Sequence, residues 1–210
     1  MVKELRVNYT RNQLLEGSFP DNPFDLFVLW FKEAEESSLI KEPNAMTIST
    51  VDGNSVDSRI VLLKDLRNEE FVFYTNYESN KGLQLAANPN CTLLFPWIHL
   101  ERQIIIRGTA SKTSEEESLN YFLSRPASSQ IGAWASSQSK DIQSRDDLED
   151  KLKFYEEKFD NQDINKPIHW GGYQISPLQI EFWQGRQNRL HDRILFEKKD
   201  GLWSYKRLQP

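Results

Sequence analysis

Cysteine is almost absent. Cys91 stands alone in 210 residues, so no intrachain disulfide can form. With no apolar h-region after Met-Val-Lys-Glu, the chain reads as a reduced cytoplasmic protein. Val2 occupies the place where N-terminal acylation needs a glycine. Long hydrophobic runs are missing too. The longest, Leu26 to Phe31, falls far short of the ~20 apolar residues of a bilayer-spanning helix, and the mean hydropathy is −0.65. The nine glycines never form G-x-G-x-x-G or a P-loop, which excludes a dinucleotide fingerprint and a glycine phosphate cradle. His99, His169 and His191 are scattered, with no H-E-x-x-H or Cys/His cluster to suggest a metal. There is no G-x-S-x-G elbow, and Cys91 lies in an apolar strand pattern that suits a buried thiol better than a nucleophile. Positive charge is not in excess: 26 Lys and Arg against 31 Asp and Glu leave a net −5. That balance, without a long basic run, argues against nonspecific nucleic-acid binding. Any phosphate this protein binds must be held by Arg, Lys, Ser and Tyr side chains.

What is present is an ordinary globular composition, 38% hydrophobic, 12% aromatic and 27% charged, enough for one domain with its own core. Residues 22–38 read as a helix, capped by Asn22 with Pro23 in its first turn. Ser79–Asn88 reads as a short helix, Ser114-x-x-Glu117 as a capping box opening a helix to about Ser124, and Pro126–Ala135 as another short one. Ser144 caps a longer helix with Leu148, Leu152, Tyr155 and Phe159 at helical spacing. Strand-like runs lie at Ala45–Val51, Val56–Lys64, Glu70–Thr75, Cys91–Trp97, Glu101–Lys112, Gly172–Trp183, Asp192–Glu197 and Leu202–Arg207. Asp52-Gly53-Asn54 is a hairpin signal between the first two. About eight strands, with helices inserted between hairpins, indicate an α+β, mainly β, barrel-like domain spanning 1–210.

Several polar constellations remain. Arg189-Leu-His-Asp-Arg193, if extended, puts Arg189, His191 and Arg193 on one face, two cations flanking an imidazole. That surface suits a phosphorylated, aromatic or oxyanionic ligand, and a solvated strand end accounts for it equally well. Arg59-Ile-Val-Leu-Leu-Lys64 sets two cations around four apolar residues. Five apart in a regular strand, they point to opposite faces and reach one site only by a twist, a bulge or a ligand at the strand end. Taken alone, a core strand with charged ends is the simpler account. Tyr121 and Arg125 are i, i+4 neighbours and Ser129 follows Pro126, so the three could clamp a phosphate or simply form an exposed helix end. Ser136-Ser-Gln-Ser139 offers hydroxyls and an amide at a turn, or a solvated loop. Phe182-Trp-Gln-Gly185 ends a strand with an aromatic that could cover a planar ring or sit in the core.

Together these segments resemble one family, the FMN-dependent pyridoxine/pyridoxamine 5′-phosphate oxidases. The resemblance is carried by R-I-V-L-L-K (59–64), F-Y-T-N (73–76), L-E-R-Q (100–103), Y-F-L-S-R-P-A-S-S-Q-I-G-A-W (121–134), S-S-Q-S (136–139), W-G-G-Y (170–173), I-E-F-W-Q-G (180–185) and R-L-H-D-R (189–193), in the family's order over nearly the whole chain. It implies an FMN-binding split β-barrel with peripheral helices, homodimeric, with FMN in two clefts at the subunit interface. Arg59, Ile60, Val61, Leu62, Leu63, Lys64, Tyr74, Thr75, Lys81, Gln103, Gln138, Ser139, Trp183 and Arg193 would surround FMN, with Arg59 and Lys81 on its phosphate. Lys64, Tyr121, Arg125 and Ser129 would take the substrate phosphate. Arg189, Leu190 and His191 would meet the pyridine, and Arg6 and Tyr9, in a mobile segment within 1–20, would close over it.

The implied reaction oxidises pyridoxine or pyridoxamine 5′-phosphate to pyridoxal 5′-phosphate. Oxygen is the acceptor, hydrogen peroxide is released, and ammonia leaves from the amine. The same cleft would also serve a flavin reductase, which needs no second phosphate clamp, or a non-catalytic flavin-binding module, which would release no peroxide. One departure stands out: the family's Ser-Arg-Lys is Ser79-Asn80-Lys81 here, one cation fewer near the expected FMN phosphate.

Overall fold

The computed structural model describes residues 2–4 and 7–210, so Arg6 lies outside the described residues. Helix α1 (Pro23–Glu36) starts where the Asn22 side chain accepts the Phe24 N–H at 2.8 Å, with Pro23 in the turn whose N–H needs no partner. Its apolar stripe of Phe24, Phe27, Trp30 and Ala34 is buried. Phe27 meets Phe71 and Phe95 at ring-centroid distances of 5.0 and 5.2 Å, and Trp30 meets Phe182 edge-on at 5.2 Å. These contacts seat the helix on the inner face of the sheet.

That sheet has nine antiparallel strands among the described residues. They are β1 (Ala45–Asp52), β2 (Ser55–Leu62), β3 (Asp65–Arg67), β4 (Glu70–Asn76), β5 (Asn90–Trp97), β6 (Arg102–Lys112), β7 (Trp170–Gln184), β8 (Asp192–Lys199) and β9 (Leu202–Leu208). Helices α2 (Asn80–Ala87), α3 (Glu115–Ser124), α4 (Ala127–Ala135) and α5 (Arg145–Lys158) sit between them. The domain is therefore α+β and mainly β, as expected. The sequence pattern shows eight strands because β3, three residues long, is too short for alternation to register.

The order is β2-β1-β5-β6-β7-β4-β3, with β8 added to β7 and β9 to β8. Strand β7 is the fork. One edge pairs with β6; the other pairs with β4 over Trp170–Ile175 and with β8 over Gln179–Gln184. Between the two pairings stands Pro177, which has no N–H for a ladder. Opposite it, β6 has a bulge between Arg107 and Gly108, where a Cβ on Gly108 would overlap the Ser176 carbonyl. Glycine is what lets the strands approach there. At the far side the Lys64 N–H donates to the Val72 carbonyl at 2.8 Å, curling the end of β2 against β4. A split barrel results.

Met46, Ile48, Phe73, Leu93, Ile104, Ile106, Ile180, Ile194 and Phe196 fill its interior. The stripe on α5 packs outside the barrel, Tyr155 and Phe159 against Trp134 of α4 at 5.8 and 5.7 Å, and no residue of α5 is fully buried. Among the described residues no helix is long and apolar enough to cross a membrane.

Candidate active site

A cavity of about 980 Å³ opens between the ends of β2 and β4, the start of α2 and the α3–α4 corner. Arg59, Lys64, Lys81 and Arg125 line it, and its lining contains no Asp or Glu. Arg59 and Lys64 share it because β2 stops at Leu62, leaving Lys64 beyond the regular strand. The opposite-face problem disappears at that strand end. Arg59 is braced from behind, its guanidinium donating to Thr50 Oγ1 and, at 3.2 Å, to Gln84 Oε1.

Lys81 is buried in the first turn of α2 and has only neutral partners. Its Nζ donates to Gln138 Oε1 at 2.9 Å, Thr75 Oγ1 at 3.2 Å and Ser79 Oγ at 3.3 Å. Burial, reinforced by the Arg59 charge, pulls this ammonium down to about 8. A buried cation without a carboxylate is costly unless an anion arrives to pair it.

The other side of the cavity is aromatic. Tyr74 stacks on Tyr121 at 3.9 Å and on Trp170 at 5.5 Å. The Arg125 guanidinium lies 4.7 Å over the Trp170 ring, while its buried Nη1 has no hydrogen-bond partner. Arg125 is not on the helix as the i, i+4 reading assumed; it is the extended residue that ends α3. Even so, it converges on the cavity with Tyr121 and with Ser129 from the first turn of α4.

A second cluster forms at the opposite end of β7. Gln103 and Arg193 sit directly across from Trp183 on β6 and β8, so the three share one face. Trp183 packs 4.5 Å from His191, and Tyr9 meets both rings at 5.8 and 5.7 Å. The Arg186 N–H donates to His191 Nδ1 at 3.1 Å, so the neutral imidazole carries its proton on Nε2. Burial and then Arg189 lower the His191 pKa, against a smaller opposing pull from Asp192. Arg193 Nε is held by the buried Glu181 at 2.7 Å.

The extended face expected for Arg189, His191 and Arg193 is not what forms. Gln187–Arg189 is a 3₁₀ turn with Asn188 and Arg189 at φ 56° and 61°, and strand β8 begins only at Asp192. Pentapeptide alternation could not reveal a turn whose left-handed residues include an arginine, since only glycine and asparagine signal that conformation.

The expected site residues thus divide. Arg59, Ile60, Val61, Leu62, Lys64, Tyr74, Thr75, Lys81, Tyr121, Arg125, Ser129, Gln138 and Ser139 share the cavity. Leu63 turns its side chain into the core. Gln103, Trp183, Leu190, His191, Arg193 and Tyr9 belong to the second cluster, with Arg189 exposed at its margin. Trp170 starts β7 and Trp183 nearly ends it, a strand path on the order of 40 Å at ~3.3 Å per residue. Within one chain the two clusters stay apart. Ser136, read with its turn as a source of hydroxyls, lines the cavity too, as do Asn76, Gly132 and Ala133, which stood within quoted motifs but were given no role. Trp170, quoted only as part of W-G-G-Y, is the platform of the aromatic wall.

A split antiparallel barrel carrying a basic, carboxylate-free cavity beside an aromatic stack defines a binder of phosphorylated, planar ligands. The model of the family described as "Pyridoxamine 5′-phosphate oxidase" matches residues 33–157, and "Pyridoxine 5′-phosphate oxidase C-terminal dimerisation region" matches residues 170–210. The chain belongs to the pyridoxine/pyridoxamine 5′-phosphate oxidase family. It is 50% identical over 211 residues to the pyridoxine/pyridoxamine 5′-phosphate oxidase of Gloeothece citriformis, covering 100% of this chain and 98% of that one. The protein of the same name from Paraburkholderia xenovorans is 50% identical over 212 residues, covering 100% and 99%. Among solved structures, PhzG from Burkholderia lata, in complex with tetrahydrophenazine-1-carboxylic acid, has the same fold at a TM-score of 0.87 and 24% identity, covering 96% and 100% of the two chains. A pyridoxamine 5′-phosphate oxidase-related, FMN-binding protein from Nostoc punctiforme superimposes at 0.69 and 14% identity, covering 90% and 98%.

Proposed function

We propose that this protein oxidises pyridoxamine 5′-phosphate and pyridoxine 5′-phosphate to pyridoxal 5′-phosphate with FMN as cofactor, working as a homodimer. The observation that carries this reading is the cavity with four cations and no carboxylate. Two phosphate monoesters carry about three to four negative charges near neutral pH, and of the four cations only Arg59 has a carboxylate beside it, Asp57 at 3.6 Å.

The residues fit FMN. Lys81 is a buried ammonium with no anionic partner and Arg59 is braced beside it. These two would hold the FMN phosphate, with Thr75, Gln138 and Ser139 supplying neutral hydrogen bonds. Ile60, Val61 and Leu62 would border the ring system. When bound, FMN would supply the two-electron acceptor for oxidation at the substrate C4′, with oxygen as the terminal acceptor and peroxide as its reduction product.

The chain's own part is binding and orientation. Lys64, Tyr121, Arg125 and Ser129 would anchor the substrate phosphate, and the orphaned Arg125 Nη1 is the donor such a phosphate would satisfy. Gln103, Trp183, Arg189, His191 and Arg193 lie too far along β7 to reach the same cavity, so a second copy of the chain would bring them over it. The dimerisation region matched at 170–210 holds all of these except Gln103. His191, protonated on Nε2, would donate to a polar substituent of the pyridine, and Arg189 would cover the ring face away from the flavin. Holding the reacting atoms at near-attack distance is what this arrangement contributes.

The test is to give the purified, FMN-loaded protein each substrate and measure pyridoxal 5′-phosphate and peroxide together. Equal formation of both supports the reading. A yellow protein that forms neither is a flavin-binding module, and the reading fails.

A further inference from the structure

The chain segment before α1 is tied down near His191 by carboxylates that accept its backbone N–H groups. Glu101 Oε2 accepts the Thr10 and Arg11 N–H groups at 2.9 and 3.0 Å, while the Glu101 carbonyl accepts the Gly185 N–H at 2.7 Å. Tyr9 lies on Gly185, where any Cβ would come within 2.7 Å of the Tyr9 ring. The second tie is Asp192, buried and joined to three parts of the chain. Its Oδ2 accepts the Leu14 N–H at 3.0 Å and Arg186 Nη1 at 2.7 Å, and its Oδ1 accepts Arg207 Nη1 at 2.8 Å. Arg207 also grips the Leu14 carbonyl at 2.7 Å and pairs with Glu16.

Arg186 is the link to the imidazole. Its side chain ends on Asp192 while its own N–H ends on His191 Nδ1. One carboxylate therefore holds both the segment that places Tyr9 against His191 and the turn that sets the His191 tautomer. We propose that Asp192 is a positioning residue of the oxidase reaction: it fixes the 9–14 strap and the Arg186 turn, and through them the orientation of Tyr9 and His191 over the substrate. The proposal rests on the oxidase reading for its kinetic consequence but not for its structural one.

The physical argument is one of geometry and charge. The bonds to Asp192 are charge-assisted, two of them from guanidinium groups, and such bonds hold direction better than neutral ones. Three backbone donors of the strap end on the two carboxylates, beside the packing of Leu14 in the core and of Tyr9 on Trp183 and Gly185, so the carboxylates set the direction of a segment that packing holds only at its ends. Nothing in the 186–190 turn is fully buried apart from its tie to Asp192, so packing alone does not fix it.

The test compares FMN-loaded wild-type protein with Asp192→Asn and Asp192→Glu. Three readouts are needed: steady-state kinetics with pyridoxamine 5′-phosphate, FMN affinity by fluorescence quenching, and amide hydrogen exchange at Thr10–Leu14. Asp192→Glu keeps the charge and Asp192→Asn keeps the size, so the two variants do not share one route to misfolding, and circular dichroism of each reports its fold. Expected for Asn are a tenfold or greater loss in kcat/KM, shared between a raised KM and a lowered kcat. Exchange at Leu14 should be at least tenfold faster, with FMN affinity within twofold of wild type. Glu should lie between wild type and Asn in kcat/KM and in exchange at Leu14. A folded variant with kcat/KM within twofold of wild type overturns the proposal, as does a kinetic loss with unchanged exchange at Leu14. Failure of the oxidase reading is told apart because it leaves the wild type itself inactive, whatever the exchange shows.

Discussion

Replacing Lys81 by methionine should make the flavin-free protein more stable and the flavin complex weaker. Lys81 is buried among Thr75, Ser79 and Gln138, and its ammonium falls from the model-peptide value of 10.5 to about 8, first through burial and then through Arg59. At 1.36 kcal/mol per pKa unit, carrying that charge without an anion costs about 3 kcal/mol at pH 7. The sign follows from the direction of the shift. Because the folded pKa is depressed, the folded state resists protonation; the penalty is full below about 8 and fades as the pH rises towards 10.5. Methionine fills similar space and carries no charge, so urea unfolding of the flavin-free proteins should show Lys81→Met ahead by about 1–3 kcal/mol at pH 7 and by less at pH 9.5. FMN affinity moves the other way. In the wild type it should fall roughly tenfold per pH unit above 8, as the ammonium that meets the phosphate loses its proton, and in Lys81→Met it should be weak without that inflection. A variant no more stable than wild type at pH 7, or wild-type FMN affinity unchanged between pH 7 and 9.5, would refute the reasoning.

Three further outcomes are expected. Asn80 is exposed where α2 meets the cavity, so Asn80→Arg should tighten FMN roughly three- to tenfold, a solvent-screened fraction of a charge-assisted bond; equal or weaker binding in a fluorescence titration contradicts this. Arg125→Ala should raise KM for pyridoxamine 5′-phosphate roughly 10- to 100-fold with FMN affinity unchanged, and it should leave any turnover of unphosphorylated pyridoxamine alone. Arg189→Ala should lower kcat about tenfold or more while retaining FMN; full kcat with the phosphorylated amine would remove Arg189 from the site.

The strands were legible wherever one face is buried, because a period of two then survives in the sequence, as in β1 with Met46, Ile48 and Thr50 inward. Helix starts were legible from caps at Asn22, Ser114 and Ser144, which all accept the expected N–H groups; Ser79, read only as the start of a helix, caps α2 in the same way. What stayed hidden depends on the third dimension. The alternation of Arg59–Lys64 predicts opposite faces, and only the end of β2 at Leu62 resolves it. The left-handed Arg189 carries no sequence signal. The fork in β7 could be suspected from Pro177 but not its pairing with both β4 and β8. Composition was silent about the site: a chain of net charge −5 lines its cavity with four cations and no acid. The ties of Asp192 to Leu14 and Arg207 were equally out of reach, because they join both ends of the chain.

The claim that the site is completed by two chains has a direct measurement. Arg125→Ala and Arg189→Ala chains, each at about a tenth of wild-type activity or less when pyridoxamine 5′-phosphate is held below KM, are coexpressed with different tags and the mixed dimer is purified. If cavity and second cluster come from different subunits, one of the two sites in that dimer is intact, and its activity should return to roughly half that of wild type. If each subunit builds its own site, every site carries one lesion, and a mixed dimer no more active than the mean of its parents contradicts the account.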